Sequence, residues 1–293
     1  MRNRNWRHYN KHLVQQGSIS FFIDPKVLKS MQIDAHSAGR GRPIKFSDSL
    51  IQLLLMIKIR FRLPYRALEG FVKSIFGKKW LLPTYSLICK RAGKLNVSLP
   101  KIERMGGMIV ILDGSGSKVC GEGEWKRKIH GRGRPRKWVK LHIALDAETQ
   151  EIVAESTTES NVADSSVTKR LLDKIPGKIK TVIADGAYDR HSAREVIKKR
   201  KARGLIPPPK NARYKRTDSE RDEAIAIIRG LGGDKEARSL WGKLSGYSQR
   251  SLVETSFSRS KRLFGDRLFS KSINKQQVEH TLRCDMLNRM RAR

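Results

Sequence analysis

The stretch 108-MIVILDGSGSK-118 decides the fold. Met108 through Leu112 run apolar without a polar side, the pattern of a strand buried on both faces, and Asp113-Gly114-Ser115 reads as the place where it ends. The same design recurs in 179-IKTVIADGAYD-189, which closes on Asp185-Gly186. Between them, 138-WVKLHIALDAETQ-150 alternates, with Val139, Leu141, Ile143 and Leu145 on one side. It turns over residues 146–150 into a third strand, 151-EIVAESTTES-160. A helix follows at 163-ADSSVTKRLLDKI-175, capped by Asp164 or Ser165. Beyond the fourth strand a basic helix, 191-HSAREVIKKRKA-202, leads to the short strand 204-GLIP-207.

The resulting order, β-β-β-α-β-α-β-α, predicts an α/β fold: an antiparallel three-strand meander continued by parallel strands, with flanking helices. The crossovers set the first and fourth strands parallel with their C-terminal ends together, which makes Asp113 and Asp185 neighbours. Ligands of open sheets sit at such ends. Two carboxylates there repel each other unless a cation holds them, and a divalent ion with oxygen ligands is the economical solution. Singly, each Asp-Gly is no more than a turn signal.

A third stretch, 246-GYSQRSLVETSFSRSKRLFG-265, reads as one helix between two glycines. Tyr247, Arg250, Glu254 and Lys261 share one broad face, while Leu252, Val253, Ser256 and Phe257 offer groups for burial. In isolation, Glu254 between Arg and Lys is ordinary surface pairing.

The chain of 293 residues carries 62 Lys and Arg against 28 Asp and Glu, a net charge of +34. Self-repulsion on that scale suits a polyanionic partner, and nucleic acid is the first choice over a ribosomal or membrane-surface role. Its three cysteines lack zinc or disulfide spacing and fit a reducing compartment. The run 50-LIQLLLMIKI-59 is too short and too charged to span a membrane, and the basic N-terminus lacks the apolar segment of a secretory signal.

Residues 1–100 read as a helical DNA-binding region. A short amphipathic helix over residues 6–15 precedes a basic arm, 38-AGRGRPIKFSDS-49, which resembles minor-groove arms and equally a plain linker. Helices follow at 48–61, capped by Ser47, at 65–76 after Pro64, and at 84–95, capped by Thr84. They resemble a helix-turn-helix whose last member presents Tyr85, Ser86, Lys90 and Arg91 to DNA; the competing reading is a bundle that only touches phosphate or a partner.

Taken together, the strand order resembles the ribonuclease H-like fold, and Asp113, Asp185 and Glu254 resemble the DDE site of bacterial insertion-sequence transposases. Tyr247-x2-Arg250-x3-Glu254-x6-Lys261 matches the Y-(2)-R-(3)-E-(6)-K signature of the IS4/IS5-like superfamily with every spacing intact. The pieces 121-GEGEWKRKIHG-131 and 184-ADGAYD-189 are similar to the IS5 family and its IS903-like group. The resemblance runs from 5-NWRHYNKHL-13 to the last helix. The chain departs from IS4-type relatives in lacking a long β-rich insertion before the final catalytic helix. Only residues 208–245 intervene, with one helix expected at 219–230 and a charged, exposed piece at 210–223.

The resemblance implies a catalytic domain over residues 101–270 and a basic C-terminal helix over 271–293. That helix, with Val278, Leu282 and Met286 four apart, would close over the sheet or serve a partner subunit. It implies phosphodiester hydrolysis at the ends of an element, then strand transfer of the freed 3′-hydroxyl into target DNA. Two Mg²⁺ ions about 3.5–4 Å apart, replaceable by Mn²⁺, would supply this chemistry, with Asp113 bridging, Asp185 on one ion and Glu254 on the other. Arg250 and Lys261 would grip phosphate, and Tyr247 would either stack near the scissile end or simply pack. Lys126, Arg127, Lys128, Arg132, Arg134, Arg136 and Lys137, in 126-KRKIHGRGRPRK-137, would form a DNA track beside Asp113, a solvated hairpin being the plainer alternative. Trp125 and Trp138 flank this run as packing residues or stacking platforms, and His130 is at most a stray ligand or general base. The implied partners are double-stranded DNA, as terminal inverted repeats and target, and further copies of the chain. The implied location is the bacterial cytoplasm, associated with the nucleoid. A nuclease without joining activity and a non-catalytic DNA-binding protein are the alternatives.

Overall fold

The structure, a computed structural model, describes residues 6–18, 45–77, 80–102, 106–119, 138–214 and 219–290. The chain folds as two compact units, Met1–Val97 with Ser272–Arg293, and Ser98–Lys271. The basic arm at 38–44, the run 126–137 with its seven expected DNA contacts, Trp125 and His130 all lie outside the described residues.

The first unit is helical. After α1 (Trp6–Gln15) comes α2 (Asp48–Arg60), whose first turn is capped as expected, Ser47 Oγ accepting from the Leu50 amide at 3.2 Å. Leu50, Ile51, Leu53 to Ile57 and Ile59 are all buried, so α2 is apolar nearly all round and is the core of this unit. Even Lys58 is buried, its ammonium 4.7 Å from the centre of the Tyr65 ring. α3 (Tyr65–Phe76) buries Leu68 and Val72.

The last of the expected helix-turn-helix elements is shorter than its periodicity predicts: α4 spans only Tyr85–Arg91. Thr84 makes no side-chain cap. The Tyr85 amide donates instead to Glu69 Oε2 on α3, at 2.7 Å. Arg91, expected to face DNA, is turned inward. Its guanidinium donates to the Phe46 carbonyl and to the Asp48 carboxylate, tying α4 to the start of α2. Tyr85, Ser86 and Lys90 are exposed.

The second unit holds a mixed sheet. β1 (Met108–Val119), β2 (Trp138–Asp146) and β3 (Ile152–Glu159) form the expected antiparallel meander. The β2–β3 turn is organised by the buried Asp146 carboxylate, which accepts from the Glu148 amide and the Thr149 hydroxyl. A 3₁₀ turn (Asp164–Val167) and α5 (Thr168–Asp173) lead to β4 (Ile179–Ala184), parallel to β1. α6 (His191–Lys199) then crosses to the edge strand β5 (Arg203–Leu205). The strand order is β3-β2-β1-β4-β5, an α/β sheet of ribonuclease H-like type flanked by helices.

Two helices occupy the stretch before Tyr247, α7 (Glu220–Gly230) and α8 (Lys235–Ser245). The second was not legible from periodicity; Asp234 starts it by accepting from the Ala237 amide at 2.7 Å. Then follow a 3₁₀ turn (Tyr247–Arg250), α9 (Ser251–Phe264) and β6 (Arg267–Leu268). The expected single helix over 246–265 is therefore broken at its start. Gly246, at φ 83° and ψ 7°, ends α8 in a left-handed conformation before the chain re-enters helix.

β1 differs from expectation in a way that matters for the site. It continues through Asp113-Gly114-Ser115 to Val119, paired with β2 throughout. The glycines serve close approach rather than a turn. A Cβ on Gly114 would meet His142 Nδ1 at 3.1 Å and Asp164 Oδ1 at 3.3 Å, and one on Gly116 would meet the Trp138 ring at 3.2 Å. Trp138 is thus a packing residue. On its other side β1 pairs with β4 only as far as Leu112↔Ala184 and with β6 from Lys118 onward. Among the described residues, the strand pairings on that side end at Leu112 and resume at Lys118, which leaves an opening in the sheet.

The C-terminal helix, α10 (Ile273–Arg289), belongs to the helical unit and packs there against α2. Its buried set extends well beyond the stripe of Val278, Leu282 and Met286 to Gln276, Glu279, His280, Thr281, Arg283 and Asp285. Gln16, just past α1, donates to the Met290 carbonyl at 2.8 Å. Among the described residues no helix is long and apolar enough to cross a membrane.

Candidate active site

Side chains alternate along a strand, and this parity places the carboxylates. Met108, Val110 and Leu112 of β1, with Val182 and Ala184 of β4, belong to the core packed under α5 and α6. Asp113 and the residue after β4, Asp185, therefore share the opposite parity. Each stands one position beyond the last parallel pair, Leu112↔Ala184. They border the opening in the sheet, where α9 and the turn before it meet β1 and β4.

Asp113 has a side chain 15% exposed. Its Oδ1 accepts from the Gly114 amide at 2.8 Å and its Oδ2 from Arg250 at 3.0 Å. Burial is the main cause that pushes its pKa up; Asp185 and Glu254 push the same way, while Gly114 and Arg250 oppose. Asp185 caps a 3₁₀ turn (Gly186–Tyr188), its Oδ1 accepting from the Ala187 amide at 3.0 Å. Glu254, on the first turn of α9, is 57% exposed and receives a short hydrogen bond from Arg250.

Arg250 is thus the hub. Its guanidinium reaches Asp113 with one nitrogen and Glu254 with the other. Burial works against its charge, but Tyr247, Asp113, Glu254 and Asp185 together raise its pKa above the ordinary value. The Tyr247 ring lies against Trp241 of α8, centroids 5.5 Å apart, so packing is what the structure gives this residue. Lys261 is exposed, two turns along α9 from Glu254.

The carboxylates suit a hard cation by donor type. Among the described residues no three His, Cys, Asp or Glu side chains are grouped to hold a metal ion, and Asp113 and Glu254 are each already bonded to Arg250. The cation between Asp113 and Glu254 is the guanidinium of Arg250.

A second polar group, not anticipated from the sequence, lies on the other face of β1. Asp164 was expected to cap a helix but makes no cap; it accepts from Lys140 Nζ at 3.1 Å and lies 3.6 Å from His142 Nδ1. His142 is fully buried, with Nε2 2.8 Å from Thr158 Oγ1. Because Thr158 gives its own proton to the Glu159 carbonyl, Nε2 is the donor and Nδ1 carries the lone pair. Nδ1 and the buried Tyr188 hydroxyl have no hydrogen-bond partner among the described residues. The sequence signal was slight, a single histidine two residues after Lys140 in an alternating strand.

Burial pushes the pKa of His142 down from 6.5 to about 4, with Lys140 and Arg170 adding to it and Asp164 opposing. A depressed histidine contributes stability that is fully present above pH 6.5 and lost as pH falls toward 4. The loss amounts to about 3 kcal/mol at most, since one pKa unit corresponds to roughly 1.4 kcal/mol. Thermal melts of the wild type and of His142→Gln from pH 7.5 to 4 check this. The wild type should lose more stability over that range, and parallel curves would count against a neutral buried imidazole.

Residues 104–289, more than half the chain, match the protein family described as Transposase DDE domain, and residues 14–122 match a second family of the same description. An uncharacterized protein of Aquifex aeolicus (strain VF5) is 26% identical over 188 residues, 57% of this chain and 57% of that protein. The chain thus spans little more than half the length of this relative. Among solved structures, a piggyBac transposase synaptic complex with hairpin DNA aligns over 92% of this chain and 73% of its own, with 10% identity and a TM-score of 0.43. A Mos1 mariner paired end complex with Mn aligns over 86% and 87%, with 12% identity and a TM-score of 0.23.

Proposed function

The chain belongs to the Transposase DDE domain family, and from that premise we propose that it is a DNA transposase of the IS5 family, IS903-like group. In this reading it hydrolyses DNA at the terminal inverted repeats of an insertion element and transfers the 3′-hydroxyl into target DNA. It acts in the bacterial cytoplasm at the nucleoid, self-associates on DNA, and uses Mg²⁺, with Mn²⁺ as a substitute. The observation that carries the reading is local. Asp113 and Asp185 sit side by side at an opening in the sheet, and the segment bearing Arg250 and Glu254 lies against it.

The roles follow from charge and reach. Asp113, Asp185 and Glu254 supply the anionic groups at which the scissile phosphate is handled. Divalent ions, when bound, would activate the attacking oxygen and stabilise the leaving one; no step is assigned to them in the present arrangement, where Arg250 neutralises the carboxylates. Arg250, whose planar fork matches phosphate, and Lys261, on the same exposed side of α9, would hold the DNA backbone. The expected tracks at 126–137 and at Tyr85 and Lys90 would add contacts that depend on salt more than on sequence.

A strand-transfer assay with a pre-cleaved terminal duplex, a plasmid target and Mg²⁺ tests the reading. Products joined to the plasmid are expected. Nicking without joining would leave a nuclease, and duplex binding with neither product would leave a DNA-binding protein.

A further inference from the structure

Asp113 and Glu254 do not face each other across open space. One nitrogen of the Arg250 guanidinium is 3.0 Å from Asp113 Oδ2 and the other contacts Glu254 Oε1. A cation held among carboxylates offsets their mutual repulsion and occupies the lone pairs that a metal ion would use. In this arrangement Asp113 Oδ2 and Glu254 Oε1 are both engaged by Arg250.

Arg250 sits in a short 3₁₀ turn that runs directly into α9. In that turn the Gln249 amide donates to the Gly246 carbonyl at 3.2 Å and the Ser251 amide to the Gln249 and Ser248 carbonyls. Gly246, in the left-handed region, precedes it, and the Tyr247 ring is anchored on Trp241. Rotation at a few residues between that anchor and Ser251 would swing the guanidinium away, while Glu254 stays on α9.

We propose that Arg250 is an internal counter-cation that keeps Asp113 and Glu254 from taking up a divalent ion until a DNA phosphate draws its guanidinium away. The proposal rests on the transposase reading above. A phosphate offers Arg250 two oxygens in the geometry of its fork, so exchange of carboxylate for phosphate conserves its hydrogen bonds. The vacated carboxylates then need a new cation. By linkage, metal and DNA each strengthen the binding of the other by the same factor. The device restrains metal-dependent cutting to chains that already hold DNA.

Mn²⁺ binding to the full chain without DNA, read from the paramagnetic resonance signal of the free ion, tests this. Arg250→Gln and Arg250→Ala should bind Mn²⁺ roughly tenfold more tightly than the wild type, within the usual range of such couplings. Arg250→Lys, which keeps the charge, should stay close to the wild type. Adding Asp113→Asn to Arg250→Gln should remove the gain. Equal affinity in the wild type and a neutral variant that folds by circular dichroism overturns the gate, as does an Arg250→Lys chain that binds like the neutral ones. A wild type that joins DNA in the strand-transfer assay while the neutral variants bind no better sinks the gate alone. Absence of joining sinks the transposase reading instead.

Discussion

Asp113→Asn and Glu254→Gln are each expected to lower cleavage and joining by roughly a hundredfold to ten-thousandfold, the range for removing one member of a catalytic unit. Binding to random duplex should hardly change. Each substitution removes a negative charge from a chain of net charge +34, so the counterion-release contribution to DNA affinity is kept. Gel-shift and nicking assays on the same preparations separate the two effects. Unchanged cleavage in either variant would remove that carboxylate from the proposed site.

Asp113→Asn carries a second expectation of opposite sign. The folded-state pKa of Asp113 is raised, chiefly by burial. A raised carboxylate contributes stability below its unfolded pKa that is lost as pH rises through its folded pKa. At neutral pH the ionised Asp113 is therefore a liability to the fold, and asparagine should raise the melting temperature as activity disappears. A functional carboxylate held against its own preference is how an active site trades stability for chemistry. A clear fall in melting temperature would mean that the bond to Arg250 outweighs the burial.

Glu279→Ala is expected to destabilise the helical unit by about 3–5 kcal/mol, because it removes the carboxylate paired with the buried Arg283. Glu279 and Arg283 lie one turn apart on α10, 5% and 3% exposed, with 2.8 Å between their charged atoms. Burial drives the pKa of Arg283 down, and Glu279 is the first group that opposes this. A domain of ordinary stability has roughly 5–15 kcal/mol in total, so the loss should shift the urea midpoint visibly. The double replacement Glu279→Leu with Arg283→Met should recover most of it, since exchanging a buried pair for apolar groups is commonly neutral or better. A loss below roughly 1 kcal/mol for Glu279→Ala, the scale of an exposed pair, would mean that α10 is solvated along this face.

These residues also mark where sequence reasoning reached and where it stopped. The order of strands, the parallel pairing of β1 with β4 and the adjacency of Asp113 to Asp185 all follow from alternation, apolar runs and the handedness of crossovers. Those signals are local or topological and are written in consecutive residues. The Ser47 cap is of the same kind. The spacing of Tyr247, Arg250, Glu254 and Lys261 is also consecutive text, and it carries the family resemblance.

Other features depend on what arrives from far along the chain. Asp-Gly reads as a turn in a short window; only the presence of His142, Asp164 and Trp138 against Gly114 and Gly116 makes the glycines part of a continuous strand. Arg91 looks like any exposed base on a basic helix until the Phe46 carbonyl and Asp48 lie within its reach. The stripe on α10 states that it must be covered and not by what; α2, apolar all round, is what covers it.

The stretch from Met108 to Lys118 shows the division most plainly. Its sequence alone determined that a strand buried on both faces would deliver an aspartate beside the one after β4, because apolar runs and strand parity are properties of consecutive residues. Tertiary structure decided that the strand continues past Asp113. It also decided that the opening beside it is filled by Arg250 from 137 positions away. Which cation neutralises a carboxylate depends on distance in space, and distance in space is what a linear pattern does not encode.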